Sequence, residues 1–314
     1  MAEADVAADA AGKPAITINK SIRCFGGWWL RCAHDSTATS TRMSFSVYLP
    51  RAAGWVAGVE GGSSGGDSGA GGGGGDGGGA TRVPVVYFLS GLTCTDENFV
   101  TKAGAARYAD AAGVALVVPD TSPRGDGVAD DASYDLGQGA GFYVDATQAP
   151  WTPHFRMQTY VTEELPAVTE AAFPLDGARR GVAGHSMGGF GALKFGLQRP
   201  DVFKSVSALA PICNPTTSAW GIKALGAYLG DDAEAWRTHD PCELLKRGAR
   251  PAGAGATANG RARCAQCLAA DAPAAEGQHD ASAARDGHDA RGARGATCGS
   301  DGGRGTGAAA TAAA

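Results

Sequence analysis

The chain has 314 residues, 44% hydrophobic and 19% charged, with a formal net charge of −5. That length holds one large domain or two small ones, and so mild an acidic balance excludes a surface built for nucleic acid or anionic membrane. No apolar run approaches the ~20 residues that cross a bilayer.

The opening "MAEADVAADAAGK" carries acids and no apolar segment, so neither a signal peptide nor an Arg-rich transit peptide is expected, and residues 1–14 read as a disordered lead. "MSFSVYLP" (43–50) alternates apolar and polar residues and stops at Pro50, which predicts a strand. Residues 61–80, "GGSSGGDSGAGGGGGDGGGA", form a Gly/Ser linker expected to expand a hairpin loop between Leu49 and the next strand. "VPVVYFL" (83–89) and "VALVVPD" (114–120) are continuous apolar runs, as in strands buried on both faces. Between them, residues 98–113 predict one helix that uses Phe99, Ala103, Ala106 and Tyr108 and stops at a Gly. Residues 157–173 place Met157, Tyr160, Val161, Leu165 and Val168 on one helical face, with Pro166 set to kink it. "RGVAG" (180–184) predicts a third strand, residues 188–198 a helix, and "KSVSALAP" (204–211) a fourth buried strand. This alternation predicts a mostly parallel α/β sheet flanked by helices.

Residues 247–314 differ: they contain no Val, Ile, Met, Phe, Tyr or Trp, and Leu268 is their one Leu. Such a segment cannot offset an ordering entropy of ~1–2 kcal/mol per residue, so it is expected to be a disordered tail. Its Ala/Gly/Arg bias points to a misread frame or retained intron in a GC-rich gene. The eight cysteines are scattered along the chain, which favours reduced thiols over a disulfide framework. The resulting division is a lead (1–14), a domain (15–246) with an insert (61–80), and a tail (247–314).

"GVAGHSMGGFGALKFG" (181–196) reads as a short strand, a sharp turn and a helix around Gly184-His185-Ser186-Met187-Gly188. A serine nucleophile on a strained strand-to-helix elbow needs small residues two positions away on each side, which Gly184 and Gly188 supply. At the helix start the Met187 N–H is free to hold an oxyanion. "LSGLTCTDENF" (89–99) follows the 83–89 strand, and there Gly91 lets the backbone approach while the Leu92 N–H offers a second donor.

The motifs "CFGG" (24–27), "HDS" (34–36), "SVYLP" (46–50), "LSGLTCT" (89–95), "PDTSPRG" (119–125), "GAGFYVDAT" (139–147), "YVTEELP" (160–166), "GHSMGG" (184–189) and "SALAPICNP" (207–215) occur in order. Together they make residues 18–246 similar to the S-formylglutathione hydrolase (esterase D) family. The resemblance implies an α/β-hydrolase fold, here lacking its last strands, and a cytoplasmic thioesterase. That enzyme cleaves S-formylglutathione to formate and glutathione in formaldehyde detoxification. It implies no cofactor and often a homodimer, while the charge balance and apolar runs point to no nucleic-acid or membrane partner and no metal is expected. It makes Ser186 the nucleophile, places Leu92 and Met187 in the oxyanion hole, and puts Trp151 and Trp220 in segments bordering the acyl pocket, where core packing is an equal reading. Cys94 reads as a small buried hydrophobe, and Arg124 and Lys102 read as solvated charges before glutathione-carboxylate partners.

The family carries its triad acid and histidine downstream of the serine, in segments that do not occur here. The downstream histidines are His239, read as a surface residue, and His279 and His288 in the tail. Cys264 and Cys267 with those two tail histidines have the wrong spacing for zinc. Besides the thioesterase, two alternatives therefore stand: a general carboxylesterase, and an inactive, truncated hydrolase-like protein. Little activity is expected of residues 1–314 alone.

Overall fold

The computed structural model describes residues 16–56 and 81–252; the lead, the Gly-rich insert and residues 253–314 lie outside the described residues. One seven-stranded sheet organises the fold: β1 (Thr17–Cys24), β2 (Gly27–Ser36), β3 (Thr41–Leu49), β4 (Val83–Leu89), β5 (Ala115–Pro119), β6 (Leu175–His185) and β7 (Ser205–Leu209). Their order is β1-β2-β3-β5-β4-β6-β7. The C-terminal half is parallel, as the alternation predicts, with β4 paired to β5 and β6, and β6 to β7. The N-terminal half is antiparallel, because β1, β2 and β3 form a meander that joins the sheet through β5. The sheet is therefore mixed. The hairpin reading of the 61–80 insert is also corrected, since β5 lies between β3 and β4 and the connection must cross it.

The apolar runs sit where their composition demands. All five residues of β5 are buried, and β4 alternates buried Val83, Val85, Tyr87 and Leu89 with half-buried neighbours. The sequence helix over 98–113 is two helices, α1 (Asp96–Lys102) and α2 (Ala106–Ala112), broken at Gly104 with φ +59°. Residues 157–172 run as α3 (Met157–Thr159), a π turn (Tyr160–Glu164) and α4 (Leu165–Ala172). Pro166 lacks the N–H that an α-turn needs, and the Leu165 N–H reaches back to the Tyr160 carbonyl just before it, so the wide turn absorbs the proline. After the elbow come α5 (Met187–Gln198), α6 (Ala219–Leu229), α7 (Ala233–Arg237) and α8 (Pro241–Lys246).

The strand expected at 204–211 is present but not buried. Within the described residues β7 pairs with β6 alone, and Ser205, Ser207 and Leu209 are exposed, Leu209 by 53%. No helix among the described residues is long and apolar enough to cross a membrane.

Candidate active site

Strand register assembles the site. Leu89 of β4 pairs with Gly184 of β6, and His185 pairs with Leu209 of β7, so three strands end level. The chain leaving β6 turns at Ser186 into α5, and the chain leaving β4 turns at Gly91 beside it. Ser186 adopts φ 57°, ψ −119°, a left-handed conformation costly for a residue with a Cβ. It is held there by its N–H on the Leu209 carbonyl (3.0 Å) and by its own carbonyl accepting the Phe190 N–H (3.0 Å). The flanking glycines are obligatory: a Cβ on Gly184 would lie 2.1 Å from the Gly188 carbonyl oxygen, and one on Gly188 would lie 1.9 Å from that of Leu89. Both obstacles are backbone. Gly188→Ala is therefore expected to destabilise the fold by roughly 3 kcal/mol. A thermal melt should show Tm lowered by roughly 6–12 °C, and an unchanged melt would mean that the two turns are not packed backbone to backbone.

The second loop is built just as tightly. Gly91–Cys94 is a turn closed by the Cys94 N–H on the Gly91 carbonyl (3.3 Å), with Thr93 at φ +66° and its N–H on the Gly139 carbonyl (2.9 Å). Gly91 O and the Leu92 N–H share one peptide plane, so holding the oxygen aims the N–H the opposite way. A Cβ on Gly91 would meet the Ser186 Cβ at 3.2 Å, which brings the turn against the serine side chain. Neither the Leu92 nor the Met187 N–H donates within the described residues. The structure thus brings together Ser186, Gly184, Gly188, Leu92 and Met187.

Arg124 is not a free charge. Its Nε donates to Asp120 (3.0 Å) and its Nη2 to the Cys94 carbonyl (3.0 Å), which the Thr121 hydroxyl also holds at 2.5 Å. Burial pushes the Asp120 carboxyl up, against the pull of Arg124. Cys94 is half-buried rather than buried, and with Lys102, Asn98, Phe88 and His185 it lines a cavity of about 250 Å³ beside Gly91. Neither tryptophan lines that cavity. Trp151 is buried edge-on to Phe155 and Tyr228 (5.1 and 5.2 Å), which is core packing, and Trp220 stands 49% exposed on α6.

Among the described residues no imidazole or carboxylate hydrogen-bonds the Ser186 hydroxyl. His34 is buried against the Tyr160 hydroxyl (3.2 Å), and His154 faces the Thr39 carbonyl (2.9 Å). His239, read from sequence as a surface residue, is half-buried instead, with Nδ1 3.4 Å from Lys194 Nζ. His279, His288, Cys264 and Cys267 lie outside the described residues, and among those described no cluster could hold a metal ion. Cys24, Cys32 and Cys94 are free thiols, but Cys213 and Cys242 are disulfide-bonded, which corrects the expectation of a fully reduced chain. Both are buried, and scattered spacing gave no sign of a bond.

Lys194 is the feature the sequence reading missed. It is fully buried on α5, where burial lowers its pKa to about 7 against the pull of Asp145. His239 is lowered to about 3 by burial and by the Lys194 charge. The signal was available: Lys194 is the one charge in a helix apolar all round. Unfolded, the two groups would titrate near 10.5 and 6.5. The unfolded chain then binds more protons between about pH 3 and 6.5 and between about pH 7 and 10.5, so stability rises with pH across both windows. Lys194→Met is expected to flatten the rise in Tm above pH 7. Melts across pH 6–10 check this, and an unaltered slope would mean that the amine is solvated.

The chain matches the esterase family described as "Putative esterase" over residues 78–274. It is 50% identical over 229 residues to an S-formylglutathione hydrolase of Paracoccus denitrificans, covering 73% of each chain. Among solved structures it is similar to an S-formylglutathione hydrolase from Agrobacterium tumefaciens (TM-score 0.65, 41% identity, 74% of this chain and 76% of that one). It also shares the fold of a fluorophosphonate-binding serine hydrolase of Staphylococcus aureus (TM-score 0.50, 20% identity, 70% of this chain and 73% of that one).

Proposed function

Because the chain belongs to the S-formylglutathione hydrolase family of esterases, with its α/β-hydrolase fold, we propose that Ser186 is the nucleophile of a thioesterase centre acting on S-formylglutathione. The observation that carries this reading is Ser186 at φ 57° as the N-cap of α5, with the Gly91 turn packed on its side chain. Ser186 Oγ attacks the formyl carbon, and the oxygen gains charge between the Leu92 and Met187 N–H groups. One such donor is typically worth about 2.7–4 kcal/mol in the transition state. The C–S bond breaks, glutathione leaves with a proton, and water then releases formate from the formyl-serine. No cofactor takes part. We place this chemistry in the cytoplasm, in formaldehyde breakdown, with a homodimer as the assembly to look for. A general carboxylesterase would use the same atoms on an ester.

Support for the second reading, a hydrolase-like protein without turnover, is that the Ser186 hydroxyl meets no base among the described residues. Incubation with an alkyl fluorophosphonate followed by peptide mass spectrometry separates the readings. A modified Ser186 supports the thioesterase. An unmodified Ser186 under conditions that label the Paracoccus relative favours the inactive protein.

A further inference from the structure

Lys194 Nζ sits among neutral partners rather than a carboxylate. It donates to the Tyr143 carbonyl at 2.5 Å and to Gln158 Oε1 at 3.0 Å, with His239 Nδ1 at 3.4 Å. The titratable groups that face it are His239, from the segment between α7 and α8, and Asp145, which accepts from the Thr159 N–H and hydroxyl. The Phe190 and Phe195 rings close the remaining sides at 5.6 and 4.7 Å. As an ammonium it donates one hydrogen bond to each of the three partners. As an amine it still donates to the two oxygens and accepts from a His239 Nδ1–H.

Tyr143 carries the line onward. Its hydroxyl donates to the Ser90 carbonyl at 2.8 Å, and its ring lies against α5 where a Cβ on Gly191 would come within 2.8 Å. Phe142 and Tyr143 both stand in the left-handed region, at φ 45° and 51°, which side-chain-bearing residues hold only when their surroundings impose it. Two anchors impose it here: Lys194 on the Tyr143 carbonyl and Ser90 on the hydroxyl. Ser90 is the residue before Gly91, so its carbonyl sets the direction in which the chain enters the Gly91–Cys94 turn.

We propose that Lys194 is a positioning residue for the reaction at Ser186: by holding Tyr143 it fixes the Ser90 carbonyl, and through the Gly91 turn it fixes the direction of the Leu92 N–H. The proposal rests on the reading of Ser186 as nucleophile and Leu92 as oxyanion donor. A lysine that merely filled the core would be replaced without loss by methionine, its near match in length and shape.

The test uses the whole chain with Lys194→Met, Lys194→Gln, Tyr143→Phe and the Lys194→Met/Tyr143→Phe pair. Two quantities are read: the second-order rate of Ser186 labelling by a fluorophosphonate, and the amide shift of Leu92 in ¹⁵N spectra from pH 5.5 to 9. Lys194→Met is expected to slow labelling about tenfold, and Lys194→Gln, which keeps a donor, to restore most of it. Tyr143→Phe should slow it similarly, and the double variant no further, because both act through one line. The Leu92 amide should titrate with Lys194 in the parent chain and stop doing so in Lys194→Met. Labelling of Lys194→Met within twofold of the parent, with the Leu92 shift unmoved, overturns the proposal. Should Lys194→Met fail to fold, Tyr143→Phe, which loses one hydroxyl, decides by the same two readings. If the parent chain is not labelled at all, the nucleophile reading falls, and the Leu92 titration alone decides the anchoring.

Discussion

Ser186→Ala is expected to abolish covalent capture by a fluorophosphonate, with Tm essentially unchanged. The size of the effect follows from chemistry: a thioester hydrolysed through an acyl-serine has no other atom to carry the acyl group. Removal of the serine from an intact triad costs about 10⁶ in turnover, a loss that does not add to that of an absent base, so the covalent label carries the test here. The folding side follows from geometry. The Ser186 side chain is half-buried and its hydroxyl makes no hydrogen bond among the described residues, whereas the backbone bonds to Leu209 and Phe190 that hold the elbow survive in alanine. Alanine and serine pay a similar cost at φ 57°. Peptide mass spectrometry and a melt check the two halves together. Labelling that persists in the variant would move the nucleophile elsewhere.

The second large effect concerns residues 1–314 as they stand. Expressed alone and assayed with S-formylglutathione beside the Paracoccus relative, this chain should turn over roughly 10³-fold or more slowly. An oxyanion hole without its base leaves only a residual acceleration of roughly 10³–10⁴ over water. The imidazoles described are all committed or misplaced. His34 and His154 are bonded to Tyr160 and Thr39. His239 faces Lys194 and is held neutral. His185 is exposed and lines the cavity on the Gly91 side without bonding Ser186. The edge of β7, unpaired on its outer side among the described residues and with Leu209 exposed by 53%, should also lower the soluble yield. Turnover within tenfold of the relative would refute this. Alanine replacement of His185, His239, His279 and His288 in turn would then find the base.

Much of the parallel half was legible because its signals are local. "VPVVYFL" and "VALVVPD" have no polar face to show, and the elbow carries its small residues at fixed offsets around Ser186. Of the antiparallel meander only β3 was read, from "MSFSVYLP". β1 is exposed along most of its length, so Thr17–Cys24 shows little of the alternation that marks a half-buried strand. Which strand lies beside which is non-local, and so the hairpin reading of the Gly-rich insert failed. Lys194 was passed over and His239 misjudged for a related reason. Residue type predicts exposure only on average, and each was buried by partners 36 to 51 positions away in the chain. The tether from Tyr143 to Ser90, 53 residues apart, has no trace in either motif.

A hairpin loop dictates how its two strands slide against each other; a bridge across a third strand does not. β3 and β4 each take their alignment from β5, which stands between them, so the stretch joining Leu49 to Val83 bears no responsibility for sheet register. That makes it a natural port for protein engineering. A fluorescent reporter or affinity handle spliced there would ride on the molecule without shifting a rung of the ladder that lines up Leu89 with Gly184.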